Sequence, residues 1–157
     1  MYYKHSLSHY LFIRQKTDFE YFMKTNRKEI YKQENEEFLA KLKQEGKTKE
    51  LNKGVLYEVL ASGEGKGTVQ PHSVVTCHYK GSLINGHVFD NSYGRNCPEA
   101  FRVTELIEGF QIALVNMHIG DHWRVYIPSE LGYGKRSSGD IPGNSTLIFE
   151  IELFSIA

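Results

Sequence analysis

Residues able to do covalent chemistry occur in this chain, but not in the patterns such chemistry uses. There is no GxSxG nucleophile elbow, P-loop, HExxH pair or dinucleotide fingerprint. His78, His87, His118 and His122 are scattered, and Gly120-Asp121 would break any helix that might align the last two, so no metal site is expected from ligand geometry. Cys77 and Cys97 are the only cysteines and have neither CxxC nor Cys/His spacing, which points to free thiols rather than a disulfide framework or a zinc site. The unusual feature is a carboxylate among aromatics. Asp90 directly follows Phe89 in an apolar, strand-like stretch near several other rings, a placement unexpected in a core that has no function. Tyr133 lies between Gly132 and Gly134, which suggests a tight turn presenting its ring rather than a buried strand.

The elements that must position these residues can be read from periodicity. Residues 1–53 hold one Gly and no Pro, whereas residues 54–157 hold every other Gly and all 4 Pro, which sets a boundary near Asn52-Lys53-Gly54. Upstream, Thr17-Asp18-Phe19-Glu20 fits a capping box, so a long helix is expected from there to about Glu45, with Gly46 as its stop. Its thin apolar stripe, Phe19, Phe22, Met23, Ile30, Phe38 and Leu42, needs a surface to lie on. Two supports fit: the chain's own second half, or a second copy joined through residues 1–45 with the aromatic residues Tyr2, Tyr3, Tyr10 and Phe12 adding area.

From Gly54 onward the pattern becomes short strands, Val55–Leu60, Ser73–Gly81, His122–Ile127 and Ser145–Phe154. The last alternates Leu147, Phe149, Ile151 and Leu153 inward against Thr146, Ile148, Glu150 and Glu152 outward. One short helix is expected around Leu106–Met117, where Leu106, Ile107, Phe110, Ala113, Leu114 and Met117 recur at helical spacing. The fold class is α+β: an antiparallel twisted sheet wrapped on one short helix and preceded by a long helix. Domains are expected at 1–53, a helical arm, and 54–157, which should fold alone.

With 157 residues, 40% of them hydrophobic, the chain can bury a core without disulfides or metals. The formal net charge of +0 provides no global field for polyanions, so nucleic acid and anionic membranes are not expected partners. The run Tyr10-Leu11-Phe12-Ile13 is shorter than a signal-peptide core and far shorter than a membrane span, from which a cytoplasmic location is expected, with an exported form left open.

The stretches Cys77-His78-Tyr79-Lys80-Gly81, Gly86-His87-Val88-Phe89-Asp90-Asn91-Ser92, Leu106-Ile107-Glu108-Gly109-Phe110, Leu131-Gly132-Tyr133-Gly134 and Ile141-Pro142-Gly143-Asn144-Ser145-Thr146-Leu147-Ile148-Phe149 together resemble FKBP-type peptidyl-prolyl cis/trans isomerases. Order and spacing match throughout residues 54–157, and the helical lead-in resembles a shortened N-terminal region of bacterial members of the macrophage infectivity potentiator type, where it builds dimers. The resemblance implies rotamase activity on proline-containing polypeptides, a role in protein folding, macrolide ligands and no cofactor. An alternative within the same resemblance is a catalytically weak chaperone, or a proline-peptide binding module, using the same pocket and the arm.

The resemblance also assigns roles. Tyr79, Asp90, Ile107 and Tyr133 would be catalytic, with the Ile107 backbone N–H and the Tyr133 hydroxyl donated to substrate carbonyls. Phe89, Phe101, Phe110, Ile141 and Phe149 would line the substrate cup, Phe110 as its floor, and Arg95 would pair with Asp90, taken as buried. This chain departs from the family pattern in three places. Phe110 stands where Trp is frequent, Glu99 occupies a rim position that is often apolar, and Gly143 replaces a frequent second proline. A wider floor, a more mobile loop and altered macrolide affinity are expected from them.

Overall fold

The computed structural model describes residues 4–157, and side chains from Phe12 onward. Helix α1 covers Lys4–Glu45, and strands follow at β1 (Lys49–Glu50), β2 (Leu56–Ala61), β3 (Val74–Ser82), β4 (Val88–Asn91) and β5 (Glu99–Arg102). A short helix α2 (Glu108–Leu114) precedes β6 (His122–Ile127) and β7 (Leu147–Ile156). The strands form one antiparallel sheet in the order β1-β2-β6-β7-β3-β4, with β5 pairing β3.

The inward set expected of the last strand is present: Leu147, Phe149, Ile151 and Leu153 are buried and the residues between them half-buried, but Thr146, expected outward, is buried just before the strand because Asn35 covers it. Strands β1 and β5 were not foreseen, because two to four residues carry too little period to register, and β4 was legible only as the strand-like stretch at Phe89 and Asp90. Phe110, Ala113 and Leu114 of α2 join Val125, Ile127, Leu147 and Ile151 in the buried core. Close approach requires Gly109, where an added Cβ would lie 2.2 Å from Ile127 Cγ2. Trp123 is buried and stacks on Tyr57 with ring centroids 4.3 Å apart, so it belongs to the sheet rather than to a binding site.

The helix does not begin at Thr17. Its hydroxyl donates to the carbonyls of Arg14 at 2.8 Å and Ile13 at 3.0 Å, bonding back to the preceding turn instead of capping the next one. A Thr-x-x-Glu spacing inside a longer helix is indistinguishable in sequence from one at its start. The end is as expected, with Gly46 at φ 68°, the left-handed geometry of a helix terminator.

Two compact units divide the chain, residues up to Glu34 and Asn35–Ala157. In the first, Phe12, Phe19, Tyr21, Phe22 and Ile30 are exposed; Tyr2, Tyr3 and the side chain of Tyr10 lie outside the described residues. In the second, the last turns of α1 rest on the sheet. Phe38 and Leu42 are half-buried, with the Phe38 ring 6.1 Å from Tyr126. Asn35 is only 2% exposed and its Oδ1 accepts from the Thr146 N–H at 2.7 Å, while the Thr146 hydroxyl donates to the Asn35 carbonyl at 3.3 Å.

The compositional boundary near residue 54 therefore falls later than the start of the compact unit. Gly and Pro content reports where loops begin, whereas packing places the helix end with the sheet. Asn35→Ala would leave the buried Thr146 N–H without its acceptor, and urea unfolding is expected to show a loss of about 1–3 kcal/mol. A fragment beginning at residue 54 is expected to lose more than that relative to one beginning at Asn35, since it also lacks Phe38 and Leu42.

Candidate functional site

A cavity of about 490 Å³ opens where the core ends, between β3, β4, β7, the start of α2 and the loop before β7. Strand alternation turns Tyr79 of β3 and Phe149 of β7 to the buried side, α2 contributes Phe110, and Phe89 and Phe101 enter from β4 and β5. The rings meet edge to face, Phe110 with Phe149 at 5.0 Å and 76°, Phe89 with Phe149 at 5.6 Å and 84°, and Tyr79 with Phe101 at 5.6 Å and 65°. Such pairs hold their relative orientation because the positive ring edge meets the negative face of its neighbour. Gly81, opposite Phe149 in the sheet register, makes room for them: an added Cβ would lie 2.6 Å from the Phe89 ring and 2.8 Å from that of Phe149.

Each residue expected at the site borders this cavity except Arg95. Tyr79, Phe89, Asp90, Phe101, Ile107, Phe110, Tyr133, Ile141 and Phe149 all line it, joined by Glu105, Leu106, Ser138, Gly139 and Asp140. Phe110, Tyr79, Phe149 and Ile141 are buried, while Tyr133 is 42% exposed, on the turn that its flanking glycines suggested. Ile107 directly precedes α2. Its carbonyl accepts from the N–H groups of Phe110 and Gln111, and among the described residues its own N–H has no internal partner. The Gln111 side chain donates to the Leu106 carbonyl at 2.6 Å and so fixes the peptide that carries the Ile107 N–H, a role the sequence did not suggest.

Arg95 stands behind the rim and organises its charge. Its Nη1 donates to Asp90 Oδ1 at 2.8 Å, its Nε to Glu99 Oε1 at 2.7 Å, and its Nη2 to the Tyr79 hydroxyl at 3.0 Å. The Tyr79 hydroxyl in turn donates to Asp90 Oδ2 at 2.6 Å. Glu99, noted in sequence only as an unusual rim residue, is thus a second carboxylate on the same guanidinium. The Asp90 side chain is 40% exposed rather than buried. Partial desolvation pushes its carboxyl up, but the Tyr79 hydroxyl and Arg95 outweigh it and hold the group below the usual carboxylate range. Burial, and then the hydrogen bond to Asp90, raise Tyr79, so its phenol remains a donor. Burial, reinforced by Glu99, pushes the Cys77 thiol up to about 12, which leaves it inert.

The arrangement provides an aromatic cup with an ionised carboxylate at one edge and donors at the others, and no activated nucleophile. Among the described residues no three His, Cys, Asp or Glu side chains gather as a metal site would require, and no helix is long and apolar enough to cross a membrane. A cup of this kind has the shape and chemistry to hold a compact apolar ring without bonding to it.

Comparison with known proteins specifies the family. Residues 65–154 match the model of the FKBP-type peptidyl-prolyl cis-trans isomerases. The peptidyl-prolyl cis-trans isomerase Mip of Coxiella burnetii is 39% identical over 120 residues, covering 76% of this chain and 52% of the relative. FkpA of Escherichia coli K12 is likewise 39% identical over 120 residues, 76% of this chain and 44% of the relative. The crystal structure of E. coli FkpA superposes with a TM-score of 0.78 at 32% identity, covering 97% of this chain and 70% of that one. An isomerase structure from Pseudomonas syringae gives 0.76 at 35%, covering 82% and 95%. The chain belongs to the FKBP-type peptidyl-prolyl cis-trans isomerase family, and it spans about half the length of the curated relatives it matches.

Because the folded carboxyl of Asp90 is depressed, its contribution to stability is present in full above the ordinary carboxylate pKa, about 3.9, and is lost as pH falls through the folded value. Thermal melts of wild type and Asp90→Asn should differ by a constant amount from neutral pH down to about pH 5 and converge at lower pH.

Proposed function

We propose that this chain accelerates cis/trans exchange of X-Pro bonds in unfolded or flexible polypeptides, assisting their folding. The observation that carries the reading is the joining, at one cavity, of the aromatic cup, the Tyr79-Asp90 pair that Arg95 holds from behind, and the Ile107 N–H, which has no internal partner among the described residues. Rotation about a peptide bond faces a barrier of about 18–20 kcal/mol because planarity preserves resonance. Each roughly 1.4 kcal/mol by which a site prefers the twisted amide gives a tenfold rate gain, with no covalent step.

In this reading the proline ring sits on Phe110 among Tyr79, Phe89, Phe101 and Phe149, with Ile141 against its open side. The Ile107 N–H and the Tyr133 hydroxyl donate to carbonyls of the flanking residues and hold the chain while the bond turns. Twisting withdraws the nitrogen lone pair from resonance and reduces the negative charge on the carbonyl oxygen. A fixed anion nearby therefore disfavours the planar amide more than the twisted one. Asp90, kept ionised by Tyr79 and Arg95, is that anion.

A protease-coupled assay on a short X-Pro peptide tests this. Asp90→Ala and Phe110→Ala are expected to cost more than Tyr133→Phe, whose lost hydroxyl contributes about 0.5–1.5 kcal/mol, or about two- to twelvefold in rate. A larger loss in Tyr133→Phe than in the other two would place the selectivity in hydrogen bonding rather than in the cup. Background turnover in wild type and Asp90→Ala, with aggregation of a client still suppressed, would replace the enzyme reading with that of a chaperone or proline-peptide binder. Macrolides that present a proline-like ring are proposed ligands of the same cup, over a floor of Phe110 wider than an indole would leave.

The exposed Phe12, Phe19, Tyr21 and Phe22 support a second part of the proposal, a homodimer formed through the helical arm. Light scattering on the full chain is expected to give twice the chain mass, and a monomer at micromolar concentration would refute it. The free Cys77 and Cys97 accord with a reducing compartment, and the cytoplasm is the location proposed.

A further inference from the structure

The loop from Gly134 to Gly143 brings Ser138, Gly139, Asp140 and Ile141 to the cavity, yet its backbone hydrogen bonds hold it mainly to itself. Ser138 and Ile141 exchange a pair of bonds at 2.9 Å, and the Asn144 N–H donates to the Gly134 carbonyl at 2.8 Å. At the tip, Gly139 has φ 56° and an added Cβ would meet nothing within 4 Å. The tip stands clear of its neighbours.

Ile141 packs into the buried core from this loop, and among the described residues one side-chain hydrogen bond joins the loop to the opposite wall. His87 Nε2 and Asp140 Oδ2 are 2.7 Å apart, between residues far separated in sequence. Asp140 immediately precedes Ile141, and His87 stands two residues before Phe89 and three before Asp90. The His87 end is anchored: its carbonyl accepts from the Leu83 N–H at 2.9 Å and its N–H donates to Asn85 Oδ1 at 2.9 Å. The other carboxylates bordering the cavity have cations of their own, Asp90 with Arg95 at 2.8 Å and Glu105 with Arg102 at 3.9 Å. The His87 hydrogen bond also holds the Asp140 carboxyl below the usual range, so the acceptor is ionised.

We propose that His87 is a positioning residue which, through Asp140, latches the 134–143 loop to the β3–β4 turn and so holds Ile141 against the bound proline segment. The inference rests on the isomerase reading of the cavity and adds to it a determinant of substrate affinity. Ile141 touches substrate through apolar contact, which is non-directional and serves planar and twisted amides alike. Uniform binding of that kind sets KM and leaves kcat nearly unchanged. A loop already latched also loses less freedom when substrate arrives.

The test uses the full chain and four variants, His87→Ala, Asp140→Ala, the double alanine variant and the exchange His87→Asp/Asp140→His. Two readouts are taken: KM and kcat on an X-Pro peptide, and hydrogen exchange of the loop amides without substrate. The side chains are 48% and 66% exposed, so the effect is modest, with KM rising about two- to fivefold in each single variant and kcat holding. The double variant is expected to be no worse than either single, loop amides to exchange faster in all three, and the exchanged pair to restore both readouts. Unchanged loop exchange in both singles, additive losses, kcat falling as far as kcat/KM, or no recovery in the exchanged pair would each overturn the latch. Absence of turnover in wild type would instead strike the isomerase reading, while the loop exchange still reports on the latch.

Discussion

Everything at the site depends on how closely α2 lies on the sheet. Gly109 allows its backbone to approach Ile127, and that contact places Phe110 edge to face with Phe149 at 5.0 Å. A larger residue at position 109 would separate helix from strand and open the floor of the cup. The cavity is therefore the unfilled end of the hydrophobic core rather than a separate structure. The rings that would hold a proline are the ones that stabilise the fold, so core packing itself sets their orientation.

The polar rim solves a different problem. A carboxylate beside aromatic rings tends to take up a proton, which would remove its charge. Here one guanidinium, bonded to Asp90, Glu99 and the Tyr79 oxygen together, offsets that tendency. Glu99 leaves the cluster of two carboxylates and one guanidinium with net negative charge, and orients the planar fork of Arg95 from a second side. The strained or reactive groups common in covalent active sites are missing from this rim because preferential binding of a twisted bond needs only fixed shape and fixed charge.

The two compact units divide the labour along α1. Its last turns are part of the domain, fastened by Asn35 on Thr146 and by Phe38 against Tyr126, whereas Phe12, Phe19, Tyr21, Phe22 and Ile30 before Glu34 are exposed. Helix α1 thus contains both a segment that covers part of the sheet and a segment whose described apolar side chains are exposed. Composition did not separate them, since Lys and Glu recur from Lys16 to Glu45, across the boundary at Glu34.

Much was legible in the sequence. The inward set of β7, the stop at Gly46 and the grouping of Tyr79, Phe89, Asp90, Phe101, Ile107, Phe110, Tyr133, Ile141 and Phe149 followed from period, turn residues and family motifs. These are local properties, or ones carried by fixed spacing. The rest depended on partners distant in the chain. Thr17 could be a cap or a mid-helix residue until its hydroxyl was seen bonding backward, and Asn35 was one polar residue among many until Thr146 met it. Glu99 on Arg95, Gln111 on the Leu106 carbonyl and His87 against Asp140 likewise have no sequence signature. The sequence by itself determined which elements form and which side chains face the core, because these follow from backbone period and burial. Apart from the pairing of Arg95 with Asp90, supplied by the family motifs, which polar groups meet was decided only by the tertiary structure, since a hydrogen bond depends on a few tenths of an ångström between residues that spacing does not relate.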